Sequence, residues 1–247
     1  MVANSVRTID RTVLSINVED SEKTAVGGAW TGHVRYTPNY GRQGTTKDIW
    51  ALDLAPASAL NAAVESVSGH ERERFSLAGG EVRVYDCADI ADARWAAWIG
   101  PWHMAHGMFY APQWSTSEVV DTLTRAKWTD TPEGLTADAG ARFSLEKSVY
   151  LLGVPGVGTM FIESKRATSV ANRVPRWRGF GVRSGEVWRL PAPPSGDAEP
   201  LLLVTDTAVV TLTPWDAPGG SRARVAAGTP QGALDFLSKV TSVSWAA

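Results

Sequence analysis

The chain has 247 residues with 24 basic against 26 acidic side chains, so it can bury the core of one large domain or of two modest ones and is nearly neutral. Near-neutrality gives no global electrostatic case for nucleic acid or a membrane surface, and the lone Cys87 excludes an intramolecular disulfide and any site built from several thiolates. Eleven Trp is a high number, expected mostly as core and sheet-face packing, with interfaces as the other use of this side chain.

In chain order, Arg11 to Val18 alternate as a first strand and end at the acidic run Glu19 to Glu22. Trp30 to Tyr36 read as a second strand, Thr37 to Lys47 as a loop, and Ile49 to Leu54 as a third strand. Pro56 opens a short helix in which Ala57, Leu60, Val64 and Val67 keep helical spacing. The run His70 to Arg74 reads as solvated charge. Strands follow at Glu81 to Tyr85, Trp95 to Ile99 and Met104 to Tyr110.

The stretch Trp114 to Trp128 is the strongest local signal. Ser115 with Glu118 three residues on is a capping box, in which hydroxyl and carboxylate each satisfy a backbone N–H of the first turn. Val119, Val120, Leu123 and Ala126 then gather on one face of a helix, whose larger side chains contribute about 1.5–3 kcal/mol each when buried. Thr129 to Gly134 reads as a linker on its Pro and Gly content. Beyond it, Ala141 to Leu145 and Val149 to Leu152 read as strands, and Val154 to Val157 as a turn into a strand at Thr159 to Glu163. Strands at 186 to 190 and 201 to 213, a loop from Pro214 to Gly228 and a helix from Thr229 to Val240 complete the chain.

Ala233, Leu234, Leu237 and Val240 repeat the apolar face of the first helix at a constant offset of 114 residues, and Gly79 to Val84 is echoed by Ser184 to Leu190 at an offset of 105. A tandem duplication and chance likeness of two strand-then-helix segments both explain this. Under duplication, the nine-residue difference is assigned to the Pro-rich Pro191 to Pro200. The expected fold class is α+β: strand-rich antiparallel sheets, each closed by a single amphipathic helix, divided as residues 1–130 and 131–247.

The densest charge lies in Lys165 to Arg189, where seven basic residues and one acidic residue give a local net of +6 and leave −8 for the rest of a chain whose total is −2. Arg173, Arg176, Trp177, Arg178 and Arg183 are the candidate anion-binding or partner-binding set. An Arg-rich strand edge facing this chain's own acidic surface or another subunit is preferred over a nucleic-acid contact, because nucleic-acid domains are usually basic overall. His103 and His106 are a candidate titrating pair, but without a neighbouring Glu they do not match a zinc peptidase, and no third metal ligand can be named. Cys87, flanked by Asp86 and Asp89, reads as a buried structural thiol.

No catalytic residue, cofactor or metal is assigned: the nucleophile elbow, the phosphate loop and the dinucleotide fingerprint are all missing from the sequence. The N-terminus lacks a signal-peptide apolar core, and no apolar run reaches the roughly 18 residues of a membrane span. The expectation is therefore a cytoplasmic protein or a virion or assembly component, its composition suggesting a bacterial or phage source. Its function is read as structural or protein-interacting: a subunit of a phage-like or secretion-type assembly, or an immunity or adaptor-type binding protein acting through a protein partner or self-assembly. The alternative is an enzyme or binding protein holding a small anionic ligand between the two halves through the Arg-rich segment.

Overall fold

A computed structural model describes residues 2–19, 26–38, 50–77, 79–110, 114–140, 143–167, 170, 172–192, 199–215 and 230–246. In chain order the elements are β1 (Val2–Arg7), β2 (Val13–Val18), β3 (Thr31–Pro38), β4 (Trp50–Pro56), a 3-10 turn (Ala57–Ala59), α1 (Leu60–Ser66), β5 (Gly69–Leu77), β6 (Gly80–Cys87), β7 (Ala93–Ile99) and β8 (His103–Tyr110). There follow α2 (Thr116–Arg125), β9 (Lys127–Thr131), β10 (Gly134–Asp138), β11 (Phe143–Val154), β12 (Gly158–Ser164), β13 (Phe180–Val182), β14 (Gly185–Arg189), β15 (Leu201–Val204), β16 (Ala208–Pro214), α3 (Pro230–Lys239) and β17 (Val240–Ala246). The described chain is thus strand-rich, with large antiparallel sheets and few helices. Among the described residues no helix is long and apolar enough to cross a membrane.

Contacts divide the chain into two compact units. The central unit comprises Arg7–Arg11 and Thr31–Ser148, and the terminal unit Met1–Val6, Thr12–Trp30 and Val149–Ala247. The changeover at Ser148 and Val149 falls inside β11, whereas the sequence reading divides the chain at residue 130. Thr129 to Gly134, expected as a linker, is instead part of the hairpin β9–β10, with Gly134 opposite Thr131. A Cβ on Gly134 would lie 2.2 Å from the Arg7 carbonyl oxygen, so this turn requires glycine.

In the central unit the strands lie in the order β3-β4-β8-β7-β6-β5. The long apolar alternation of β6 and β7 sorts side chains to two faces. On one face Tyr85, Cys87, Trp95, Ala97 and Met104 pack under the 3-10 turn and α1, which contribute Ala57, Leu60, Val64 and Val67. On the other, α2 packs against β6 and β7 with Val119 and Leu123 fully buried. The capping box at Ser115 and Glu118 is formed as expected. Trp128 then stacks on Trp98 at 5.2 Å and donates its indole N–H to the Leu123 carbonyl, fixing the end of α2 to β9.

In the terminal unit the order is β13-β14-β15-β16-β12-β11, with β1, β2 and β17 forming a separate three-stranded sheet. Val170, Trp188, Leu202, Val204 and Val209 form a core cluster there, covered by Ala167 and Val174 of the segment between β12 and β13. α3 packs against β15, β16 and β17 with Leu237 fully buried. Thr205 knits the unit together: its hydroxyl donates to the Val243 carbonyl and accepts the Ala208 N–H.

Several expectations are corrected. His70 to Arg74 is solvated but lies within strand β5, and the two strands expected at 141–145 and 149–152 are one, β11, over the described residues. β1, β13 and β17 were not anticipated. Most of the loop expected at Thr37 to Lys47, much of Pro191 to Pro200 and most of Pro214 to Gly228 lie outside the described residues.

Candidate functional site

The Arg-rich segment separates into residues held internally and residues presented outward. Lys165 donates to the Thr205 carbonyl at 3.0 Å, and Arg173 pairs with Glu163, a carboxylate only 3 % exposed, while also donating to the Thr211 hydroxyl at 2.7 Å. A buried carboxylate needs such a partner, so Arg173 serves to pin the covering segment to β12 and β16. Arg176, Arg178 and Arg183 are exposed.

Between them the backbone is fixed while the side chains are not covered. The Trp188 indole N–H donates to the Trp177 carbonyl at 2.9 Å, and the Gly179 N–H donates to the Glu186 carboxylate at 3.0 Å. A Cβ on Gly179 would come within 2.8 Å of the Val187 carbonyl oxygen, so the close approach to β14 needs glycine. The Trp177 side chain is left 70 % exposed and Phe180 62 % exposed. Phe180 begins β13, which among the described residues is the outermost strand of its sheet and pairs with β14.

The two histidines of the candidate pair are three residues apart on β8 and therefore point to opposite faces. His103 Nδ1 lies 2.7 Å from Asp130 Oδ1, and the other Asp130 oxygen accepts the backbone N–H groups of Trp102 and His103 at 2.7 and 3.1 Å. With Asp130 only 2 % exposed, this is a clip that holds the start of β8 to β9. His106 lies tilted against Trp95, ring centroids 5.0 Å apart, and burial holds its pKa below the ordinary histidine value, against the opposing influence of Asp53.

Asp53 brings in a residue that sequence reasoning missed. Cross-strand pairing sets His33 opposite Asp53 and Asp53 opposite His106, and His33 Nδ1 lies 2.8 Å from Asp53 Oδ1. The result is a carboxylate between two imidazoles on one sheet face. Among the described residues neither ring is hydrogen-bonded to a serine, threonine or cysteine, so the row carries proton-binding groups without an activated nucleophile. The Cys87 thiol packs 3.7 Å from the Met108 sulfur, and burial pushes its pKa up, with Asp86 acting in the same direction. No group of three or more His, Cys, Asp or Glu able to hold a metal occurs among the described residues.

A cleft of about 370 Å3 opens elsewhere in the central unit, between the turn after β1, the end of β10 and the start of β11. Its wall includes Tyr36, Phe143 and the carboxylates Asp10 and Asp138. No signal in the sequence marks it, because its residues lie in three segments far apart in the chain.

Set beside known proteins, the chain matches no family model, no curated protein and no solved structure, so its function is read from these residues alone.

Proposed function

We propose that this protein is a non-enzymatic interaction subunit that docks a protein partner on the β13 edge of its terminal unit. The observation that carries this is the pair of exposed aromatics, Phe180 at the start of an outermost strand and Trp177 just before it, set among the exposed Arg176, Arg178 and Arg183. Trp and Arg are the side chains most enriched at binding hot spots, and an outermost strand offers backbone groups for strand addition. The occupant favoured by charge is a second copy of the chain: the segment 165–189 carries +6 and the remainder −8. A subunit of a larger assembly, of phage-like or secretion type, and an adaptor or immunity-type binder are the forms this function would take.

The alternative, an anionic ligand gripped by Arg173, Arg176, Arg178 and Arg183, would have to share Arg173 with the buried Glu163, which disfavours it.

We also infer that the two units are copies of one sheet-plus-helix unit, each sheet closed by its helix. Adding eight to every strand number of the central order β5-β6-β7-β8-β4-β3 produces the terminal order, and α2 followed by β9 corresponds to α3 followed by β17. Register agrees as well: Glu81, Ile99 and Met104 stand opposite one another across β6, β7 and β8, as Glu186, Val204 and Val209 do across β14, β15 and β16, each 105 residues on. Val119, Leu123 and Ala126 are buried, and so are Ala233, Leu237 and Val240, each 114 on. On this reading the nine-residue difference falls between β16 and α3, since the offset of 105 still holds at Val209, and the assignment to Pro191–Pro200 is withdrawn.

The experiment is light scattering after size exclusion over a concentration series, for the wild type, Trp177→Ala/Phe180→Ser and Arg176→Glu/Arg178→Glu. Mass that rises with concentration in the wild type and stays monomeric in both variants supports the edge as a self-association surface. A wild type that is monomeric throughout removes self-assembly, and association unchanged in both variants removes the edge.

A further inference from the structure

We infer that the surface met by the β13 edge on the second copy is the turn between β6 and β7 of the central unit, so that copies join head to tail. This rests on the edge reading and names its other half.

A twofold contact of two β13 edges is the simplest alternative, and charge opposes it. It would gather Arg176, Arg178 and Arg183 of both copies in one place, and among the described residues no ion pair engages any of the three. Glu186, the one carboxylate between Lys165 and Arg189, already accepts the Gly179 N–H. Like charges brought together in this way cost affinity, so the edge calls for an acidic surface elsewhere on the chain.

The β6–β7 turn presents one. Ala88, Asp89, Ile90, Ala91 and Asp92 are exposed in succession, Ile90 at 38 %. Asp86, just before them, pairs with Arg72 at 3.3 Å and lies 3.9 Å from Arg94, so it adds little. Asp89 and Asp92 differ from it: among the described residues no ion pair engages either, and Asp89 accepts from the Ser68 hydroxyl. Tyr110, opposite Ala93 across the β7–β8 ladder, is 47 % exposed at the same end of the sheet. The turn thus offers two large side chains and two carboxylates, where the edge offers two aromatic rings and three guanidinium groups. Apolar area is matched by apolar area, and each sign by its opposite.

The turn also has its shape before a partner arrives. The Ala88 N–H donates to the Ser68 carbonyl and the Ala93 N–H to the Ile90 carbonyl, both at 3.2 Å. Asp92 takes a left-handed φ of 60°, uncommon outside glycine but open to Asp and Asn. A preformed surface costs less to dock than one that must be ordered on contact. Because a head-to-tail contact leaves an edge unused at one end and a turn at the other, addition continues until a ring closes.

The test is light scattering after size exclusion on two variants, alone and mixed. Trp177→Ala/Phe180→Ser removes the edge, and Asp89→Asn/Ile90→Ser/Asp92→Asn removes the turn. The asparagines keep an acceptor for Ser68 and suit the left-handed φ, so the turn variant is expected to melt like the wild type. Each variant alone is expected to stay monomeric. Their mixture is expected to form a complex of two chains, one of each, that grows no further, since one intact edge and one intact turn remain between them. A turn variant that associates like the wild type overturns the head-to-tail contact and leaves the edge reading standing, whereas an edge variant that does so overturns both. A mixture that stays monomeric also overturns the contact. The wild type adds a check that needs no variant to fold: raising sodium chloride from about 50 to about 300 mM is expected to weaken its association about threefold or more, because opposite charges are screened. Association unchanged or tightened by salt overturns the proposal, and a wild type that is monomeric throughout removes it together with the edge reading.

Discussion

β5 and β13 are the outermost strands of the central and the terminal unit, whose strand orders match, and they are finished in opposite ways. β5 runs for nine residues, carries Glu71, Arg72, Glu73 and Arg74 in succession, and is bulged between Glu71 and Glu73. Its charges are mutually engaged, Arg74 with Glu71 at 2.9 Å and Arg72 with Asp86 at 3.3 Å. Exposed ion pairs of this kind add little stability. Their effect is to deter another strand from pairing there, as charge and bulges do at sheet edges generally. β13 runs for three residues and presents Phe180 with Trp177 beside it. Since the same position in the plan is guarded in one unit, the open aromatic edge of the other is not imposed by the fold, and a covering partner is the simplest reason for it.

The correspondence between units is tested most forcefully at the helices. Leu123 of α2 and Leu237 of α3, 114 residues apart, are both fully buried, so each Leu→Ala change is expected to cost about 2–5 kcal/mol in chemical denaturation. Comparable losses sharpen the comparison. A loss below about 1 kcal/mol at one site alone would mean the two helices do not play the same part.

A second break lies in how the sheets are covered. The central unit uses an apolar helix, α1, while the terminal unit ties its covering segment down with Arg173 on Glu163. Glu163→Ala removes the buried partner of a guanidinium that is itself partly exposed, and a loss of about 3 kcal/mol is expected by the same denaturation measurement. Arg173→Met, which keeps bulk and removes charge together with Glu163→Leu, is expected to recover much of that loss.

The edges themselves respond in association and hardly at all in stability. Trp177→Ala/Phe180→Ser is expected to change unfolding free energy by less than about 0.5 kcal/mol while abolishing concentration-dependent mass. Stripping β5 of its guard with Glu71→Val/Arg72→Thr in the Trp177→Ala/Phe180→Ser background should do the reverse and create association where that variant has none, read by the same light-scattering series.

Legibility followed locality. The capping box of α2 and the hairpin of β15 and β16 involve neighbours in sequence, and both were readable from a few residues. β5 was hidden because its charges mask any apolar alternation, and β13 because three residues, Phe-Gly-Val, carry no period at all. The linker reading at Thr129 to Gly134 failed because Pro and Gly mark a tight hairpin as well as they mark a boundary. His33, Asp53 and His106 come from three strands, β3, β4 and β8, and only register brings them side by side. The cleft was equally invisible, since backbone bonds from Arg7 to Glu133 and from Ala137 to Ile9 join segments that are distant in the chain.

The smallest expected effect is a pH dependence confined to the central unit. His106 is less basic in the folded protein than in the unfolded chain, because burial disfavours the imidazolium more than Asp53 favours it. Between the folded value and the ordinary 6.5, the unfolded state therefore binds more protons than the folded one. Stability is full above 6.5 and declines as the pH falls below it, levelling off once the folded imidazole is protonated too. His106→Gln, which retains a polar planar side chain against Trp95 without titrating, should flatten that part of the profile in denaturation curves taken at successive pH values. His33 offers the control: its side chain is 45 % exposed beside Asp53, so His33→Gln should leave the slope below 6.5 in place, and a slope that vanishes with His33 rather than His106 would reassign the proton to the exposed end of the row.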